Sequence, residues 1–99
     1  MNLEAACEIK EDWEGRGYAF FIWHDPPGKN WPPIKHPFDE VVILLEGELT
    51  FIVDGERVDL EPGQEIFLPA GTKHSVHNVG NIKNCWCYGY SINVKAEEV

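Results

Sequence analysis

The feature that most constrains this chain is the run from Gly28 to Gly47, GKNWPPIKHPFDEVVILLEG. At its centre His36 and Glu40 stand four positions apart and lead directly into Val41-Val42-Ile43-Leu44-Leu45. An i, i+4 pair also shares a face of a helix, so the spacing alone decides nothing. Pro32, Pro33 and Pro37 exclude a helix interior, because proline lacks the N–H that a helix needs and clashes with the preceding turn. The β-branched and aliphatic run that follows reads as a strand. Side chains alternate faces in an extended chain, so positions 34, 36, 38, 40, 42 and 44 are expected to point one way. His36 and Glu40 then look into the same space as Val42 and Leu44. An imidazole and a carboxylate aimed at an apolar interior need a chemical reason.

A second stretch, Gly63 to Asn78, supplies more of that reason: GQEIFLPAGTKHSVHN places His74 just after a Pro69-Ala70-Gly71 turn and at the head of another extended segment. Together the two stretches resemble the two motifs of the cupin family. The first family pattern, G-x5-H-x-H-x3-E-x6-G, is met by Gly28, His36, Glu40 and Gly47, with Ile34 where the first histidine belongs. The second, G-x5-P-x-G-x2-H-x3-N, is filled throughout by Gly63, Pro69, Gly71, His74 and Asn78. Nine of ten motif residues match at fixed gaps, which is a strong signal for fold. It is a weak signal for reaction, since the family spans dioxygenases, isomerases, decarboxylases, epimerases, storage proteins and ligand sensors.

Punctuation along the chain agrees with an all-β fold. Tyr18 to His24 is an aromatic-rich strand, and Asp25 to Asn30 is a loop by composition. Further strands are expected over 41–45, 49–53, 56–60, 65–68, 74–79 and 83–94, the last as one strand or two. Asp54-Gly55 is a type I′ hairpin signal. The first seventeen residues are acidic and weakly patterned, with Ile9 and Trp13 as anchors, and read as a first strand or a strap. No helical periodicity longer than a turn or two stands out. About eight antiparallel strands make a sandwich or barrel, and the resemblance implies a cupin-type jelly-roll β-barrel in a single domain, 1–99.

The run 41–45 is apolar on both faces, and such a strand is normally covered on both sides. Either the N-terminal segment covers Val41, Ile43 and Leu45 or a second copy does, and the expectation is a homodimer. Seventeen acidic against eight basic residues, a net charge of −9, argue against nucleic acid or an anionic membrane as partner. No signal-peptide pattern or membrane-length apolar run is seen, and three cysteines without a secretory context suggest reduced thiols in a cytoplasmic protein.

The resemblance implies that two histidines of H-x-H, the glutamate and the motif-two histidine bind a divalent metal. Carried over by position, His36, Glu40 and His74 remain as metal ligands, and Ile34 faces the place of the missing fourth. Two histidines and a carboxylate form a facial ligand set suited to Fe(II), Mn, Zn or Ni with open coordination positions. One reading is a three-ligand metal site with more room for a small-molecule ligand in the barrel. Its competitor is an apolar pocket with no metal, used for binding or sensing. His77, three residues beyond His74, should face the other side of its strand. His24 reads as an ordinary edge residue, and Asp39 and Asn78 as hydrogen-bonding groups that hold turns. Cys85 and Cys87 share one strand face and read as buried hydrophobes. Trp23, Trp31 and Trp86 are more simply core than cavity lining.

Overall fold

The computed structural model describes residues 3–91. Eight strands form two four-stranded antiparallel sheets that face each other. The first sheet has the order β1 (Phe21–Asp25), β8 (Asn84–Tyr90), β3 (Glu40–Glu46), β6 (Glu65–Leu68). The second has β2 (Asn30–Ile34), β7 (His74–Asn78), β4 (Leu49–Val53), β5 (Glu56–Leu60). The all-β jelly-roll expectation therefore holds. Alternation sorts β3 as expected: Val42 and Leu44 are fully buried between the sheets with Leu49, Phe51, Leu68 and Trp86. Asp54 and Gly55 both have positive φ, as a type I′ turn between β4 and β5 requires.

The N-terminal segment corrects the sequence reading. Leu3–Gly15 is an α-helix (α1), neither a strand nor an extended strap. It lies on the outer face of the first sheet, where Trp13, Val41 and Cys87 are fully buried and Ile9, Ile43 and Leu45 pack around them. Ala6, Ile9 and Trp13 sit at helical spacing, so α1 turns one narrow apolar stripe to the sheet and an acidic face to solvent. This helix supplies the cover that the sequence left open between the N-terminal segment and a second copy. The Trp13 indole N–H donates to Glu65 Oε1 at 3.1 Å, and Arg16 pairs with Glu65 Oε2 at 3.1 Å. Losing a buried tryptophan costs about 3–5 kcal/mol, whereas a half-exposed ion pair is worth about 0–1 kcal/mol. Trp13 rather than the ion pair holds the helix down. Gly89 makes room for it, since a Cβ there would meet the Ala19 carbonyl and the Trp13 ring.

A strand that composition did not suggest, β2, carries Pro32 and Pro33. It is an edge strand, where a missing N–H costs no ladder bond. Its register against β7 slips, with Trp31 opposite Val76 but Ile34 opposite His74. Three steps on β2 thus match two on β7, a bulge that turns both Trp31 and Ile34 to the inner face. The expected final strand appears as β8, Asn84–Tyr90, with Ser91 bridging to Tyr18, and its expected continuation over 92–94 falls outside the described residues. Residues 92–99, including the acidic tail, lie outside the described residues.

Candidate metal centre

Three residues from separate parts of the chain meet between the sheets. Glu40 opens β3, His74 opens β7, and His36 stands in the connection from β2 to β3. The ligand-capable atoms of His36, Glu40 and His74 all lie within 4.8 Å of one another. Glu40 Oε1 is 3.4 Å from His74 Nε2 and 3.7 Å from His36 Nε2. The two sequence motifs are bonded to each other to achieve this. Gly71 N donates to His36 O at 2.8 Å, and Ala70 N donates to Asp39 Oδ1 at 2.8 Å. Asp39 thus ties the turn before β7 to the segment carrying His36, as its expected turn-holding role requires. The same turn orients His74, whose Nδ1 lies 3.2 Å from Thr72 O. A carbonyl only accepts, so Nδ1 carries a proton and the ring turns Nε2 to the cluster.

The cluster is not a closed hydrogen-bond pair. Glu40 is 5% exposed, and its Oε1 has no hydrogen-bond partner. Burial pushes its carboxyl up to about 7, so an ionised Glu40 is costly there without a compensating cation. His36 is held below its ordinary value, first by burial and then by the neighbouring His74, which favours a neutral imidazole. Its ring stacks on Phe38 at 5.3 Å and meets the edge of Tyr90 at 5.1 Å, so its orientation is fixed by packing. A divalent cation would satisfy the orphaned oxygen and accept both bare Nε2 atoms. The donor set fits a metal such as Fe, Mn, Zn or Ni.

The cluster closes one end of a cavity of about 270 Å³. Ile34 lines that cavity too, beside His36, and is half exposed at its rim. An aliphatic side chain therefore does stand where the fourth family ligand would be. Trp23, Trp31 and Trp86 also line the cavity, and Trp86 belongs at the same time to the core, with Trp31 packed against it. Asp25, expected in a loop, is 1% exposed and accepts the Trp86 indole N–H at 2.8 Å and that of Trp31 at 3.4 Å. Nothing in its local sequence, Asp-Pro-Pro-Gly, distinguishes it from a turn residue; its parity with Trp23 along β1 was the available clue.

Other candidates fall elsewhere. His77 is on the outer face, bonded through Nδ1 to Asn30 Oδ1 at 2.9 Å and through Nε2 to Ser75 Oγ at 3.1 Å. His24 is exposed on β1, an edge strand. Asn78 donates to the carbonyls of Pro26 and Ile82 at 2.9 and 3.1 Å and so pins two loops. Cys85 and Cys87 are both buried. Burial pushes Cys87 up to about 12, and no third metal-ligating side chain joins the pair among the described residues. Among the described residues no helix is long and apolar enough to cross a membrane.

Comparison with known proteins places this arrangement. The chain is 42% identical over 55 residues to the Myxococcus xanthus protein named endoribonuclease YbeY, covering 56% of this chain and 19% of that one. It is 39% identical over 57 residues to the tetracenomycin polyketide synthase protein TcmJ of Streptomyces glaucescens, covering 57% and 38%. The chain therefore spans well under half the length of these curated relatives. A Thermotoga maritima crystal structure, described as a predicted oxalate decarboxylase, superposes with a TM-score of 0.70 at 27% identity, covering 83% of this chain and 72% of that one. The cupin domain profile matches residues 21–87, from the first residue of β1 to Cys87 in β8. With both motifs, the two facing sheets and the profile in agreement, the chain belongs to the cupin family.

Proposed function

We propose that His36 and His74, through Nε2, and Glu40, through Oε1, hold one divalent metal ion, and that the cavity beside them receives a small organic molecule. The observation that carries this reading is the Glu40 carboxylate oxygen, buried between two imidazoles with no hydrogen-bond partner. A structural His–Glu pair would be expected to close that hydrogen bond, because an unsatisfied buried acceptor costs about 1–3 kcal/mol. Here the groups instead converge on a common point and leave Oε1 open. A bound ion with three protein ligands retains open positions, at which it supplies Lewis-acid or redox activation of the substrate. The remaining work falls to the chain. Burial favours a neutral His36, Thr72 O fixes which nitrogen His74 presents, and Ile34 leaves the fourth position to substrate. Dioxygenation, isomerisation and decarboxylation are the reaction classes compatible with such a site. The Thermotoga structure, described as a predicted oxalate decarboxylase, supports the last of these by likeness.

A second reading, a metal-free barrel that binds or senses a small molecule, is favoured by one feature. Ile34 stands at the position where the family pattern has a histidine. Elemental analysis of protein purified without tag or chelator separates the two. Stoichiometric metal that is lost in Glu40→Gln supports the metal centre. No metal, and no uptake on adding Fe, Mn, Zn or Ni, leaves the binding barrel.

A further inference from the structure

The cavity walls are more selective than the cluster at their end. Trp23, Trp31, Phe51, Trp86, Tyr88 and Tyr90 all line the cavity. They support one another edge to face or tilted, with Trp23–Trp31 at 5.8 Å, Trp86–Tyr88 at 5.5 Å and Tyr88–Tyr90 at 5.6 Å between ring centroids. Asp25 lies behind this wall rather than in it. By accepting the indole N–H groups of Trp86 and Trp31, it turns those donors away from the cavity. Both rings then offer a ligand carbon surface and no hydrogen bond. Polar side-chain atoms gather at the end formed by His36, Glu40 and His74, where the register of β8 on β3 sets Tyr90 opposite Glu40 and Tyr88 opposite Val42.

We infer that the cavity takes a flat oxygenated aromatic ring, a phenol or catechol, with the ring against the tryptophan wall and its hydroxyl oxygen at the His36–Glu40–His74 end. The inference deepens the metal-centre reading and rests on it for the oxygen end only. Three physical arguments select this class. A sugar carries hydroxyls around its whole ring, and against indole carbon most would lose their water without replacement, at about 1–3 kcal/mol each. A di- or tricarboxylate needs a counter-charge for each group, and no lysine or arginine is among the described residues lining the cavity. A divalent ion held by one carboxylate and two neutral imidazoles keeps a residual positive charge, which suits a single phenolic oxygen and repels an organic cation. Size agrees as well. An apolar cavity of about 150 Å³ holds benzene, and about 270 Å³ leaves room for a substituted ring.

The test uses 4-nitrocatechol as probe on zinc-loaded, desalted protein, read by calorimetry and by the probe's absorption, with xylose and succinate as competitors and metal content measured on each sample. Trp23→Leu and Trp31→Leu alter the wall without touching the cluster. Trp23 is 41% exposed, so its loss leaves the fold intact, as a melting curve verifies. The expected result is binding of 4-nitrocatechol that weakens about tenfold in Trp23→Leu or Trp31→Leu, with zinc stoichiometry unchanged and no displacement by xylose or succinate. Xylose or succinate binding as well as the probe, or an affinity indifferent to both tryptophan variants, overturns the inference. Should the protein take up no zinc, the metal reading fails separately. Calorimetry of the metal-free protein then decides the ring: heat of binding lost in Trp23→Leu sustains the aromatic site, and no heat overturns it.

Discussion

His74 Nε2 lies 3.4 Å from Glu40 Oε1, while the opposite nitrogen of the same ring is committed to Thr72 O at 3.2 Å. The backbone turn that precedes β7 therefore sets the tautomer of a side chain that faces a carboxylate on the other sheet. This is the usual arrangement of a metal-binding histidine, in which the outer hydrogen bond fixes which nitrogen is free. It also explains why the two motifs must fold together before either has chemical meaning.

Position 34 offers the most direct probe of the cluster. Ile34 pairs with His74 across β2 and β7 and lines the same cavity. Ile34→His is expected to tighten zinc affinity by at least about tenfold, by supplying a fourth ligand. Competition titration against a chromophoric chelator measures it. Unchanged affinity would show that the introduced ring does not reach the ion.

The buried carboxylate makes a pH-dependent prediction for metal-free protein. Burial raises Glu40 from its ordinary 4.5 to about 7, so the folded state holds a proton that the unfolded chain releases earlier. A raised carboxyl contributes stability that is fully present below about pH 4.5 and is lost as pH rises through about 7. Comparing wild type with Glu40→Gln isolates this group from the other carboxylates. The two should be of similar stability near pH 4.5, and the variant more stable at pH 8 by on the order of 1–3 kcal/mol. Urea titrations at both pH values check the sign; a pH-independent difference would mean that Glu40 titrates normally.

Glycine positions with the same backbone should respond differently. Gly47 and Gly63 have φ of +104° and +89°. A Cβ on Gly47 would run into the Asn84 side chain, whose Oδ1 accepts from Glu48 N and whose Nδ2 donates to Glu48 O, both at 2.9 Å. Nothing stands near a Cβ on Gly63. Gly63→Ala should cost about 1 kcal/mol of strain, and Gly47→Ala clearly more, because it also breaks a buried amide's bonds. Equal midpoints in urea would contradict the collision at Gly47.

Thiol chemistry should separate the three cysteines. Cys7 is exposed on α1, whereas burial raises both Cys85 and Cys87, the latter to about 12. Iodoacetamide at pH 8 should label Cys7 alone in native protein and all three in urea. Native labelling of Cys87, read by peptide mass, would show that α1 opens readily from the sheet.

Several of these features were legible before any coordinates. His36, Glu40 and His74 stand at fixed intervals from Gly28, Gly47, Gly63 and Gly71, and all four glycines have positive φ. A conformation that tolerates only glycine leaves its mark in the sequence. Alternation in β3 was equally plain, because each face of that strand is buried against a different layer. The helix was not plain. Among its described side chains, Ala6, Ile9 and Trp13 are the ones buried or packed against the sheet, too sparse a stripe for a periodic signal. The run of Leu, Glu, Ala and Lys was the propensity cue that could have disclosed it.

The sequence by itself determined seven of the eight strands of the described residues, most of the turns between them and the identity of the three polar residues turned inward, because those follow from local backbone preference and from period-two alternation. Only the tertiary structure decided what surrounds them. The bulge across Pro32 and Pro33 reverses simple parity and brings Trp31 and Ile34 to one face. Asp25 becomes a buried acceptor only when β1, β2 and β8 converge on it. The carbonyl that fixes His74 belongs to a turn whose own position depends on Asp39, thirty-one residues before Ala70. Contacts between distant segments depend on the packing of all of them at once, and no local pattern encodes that.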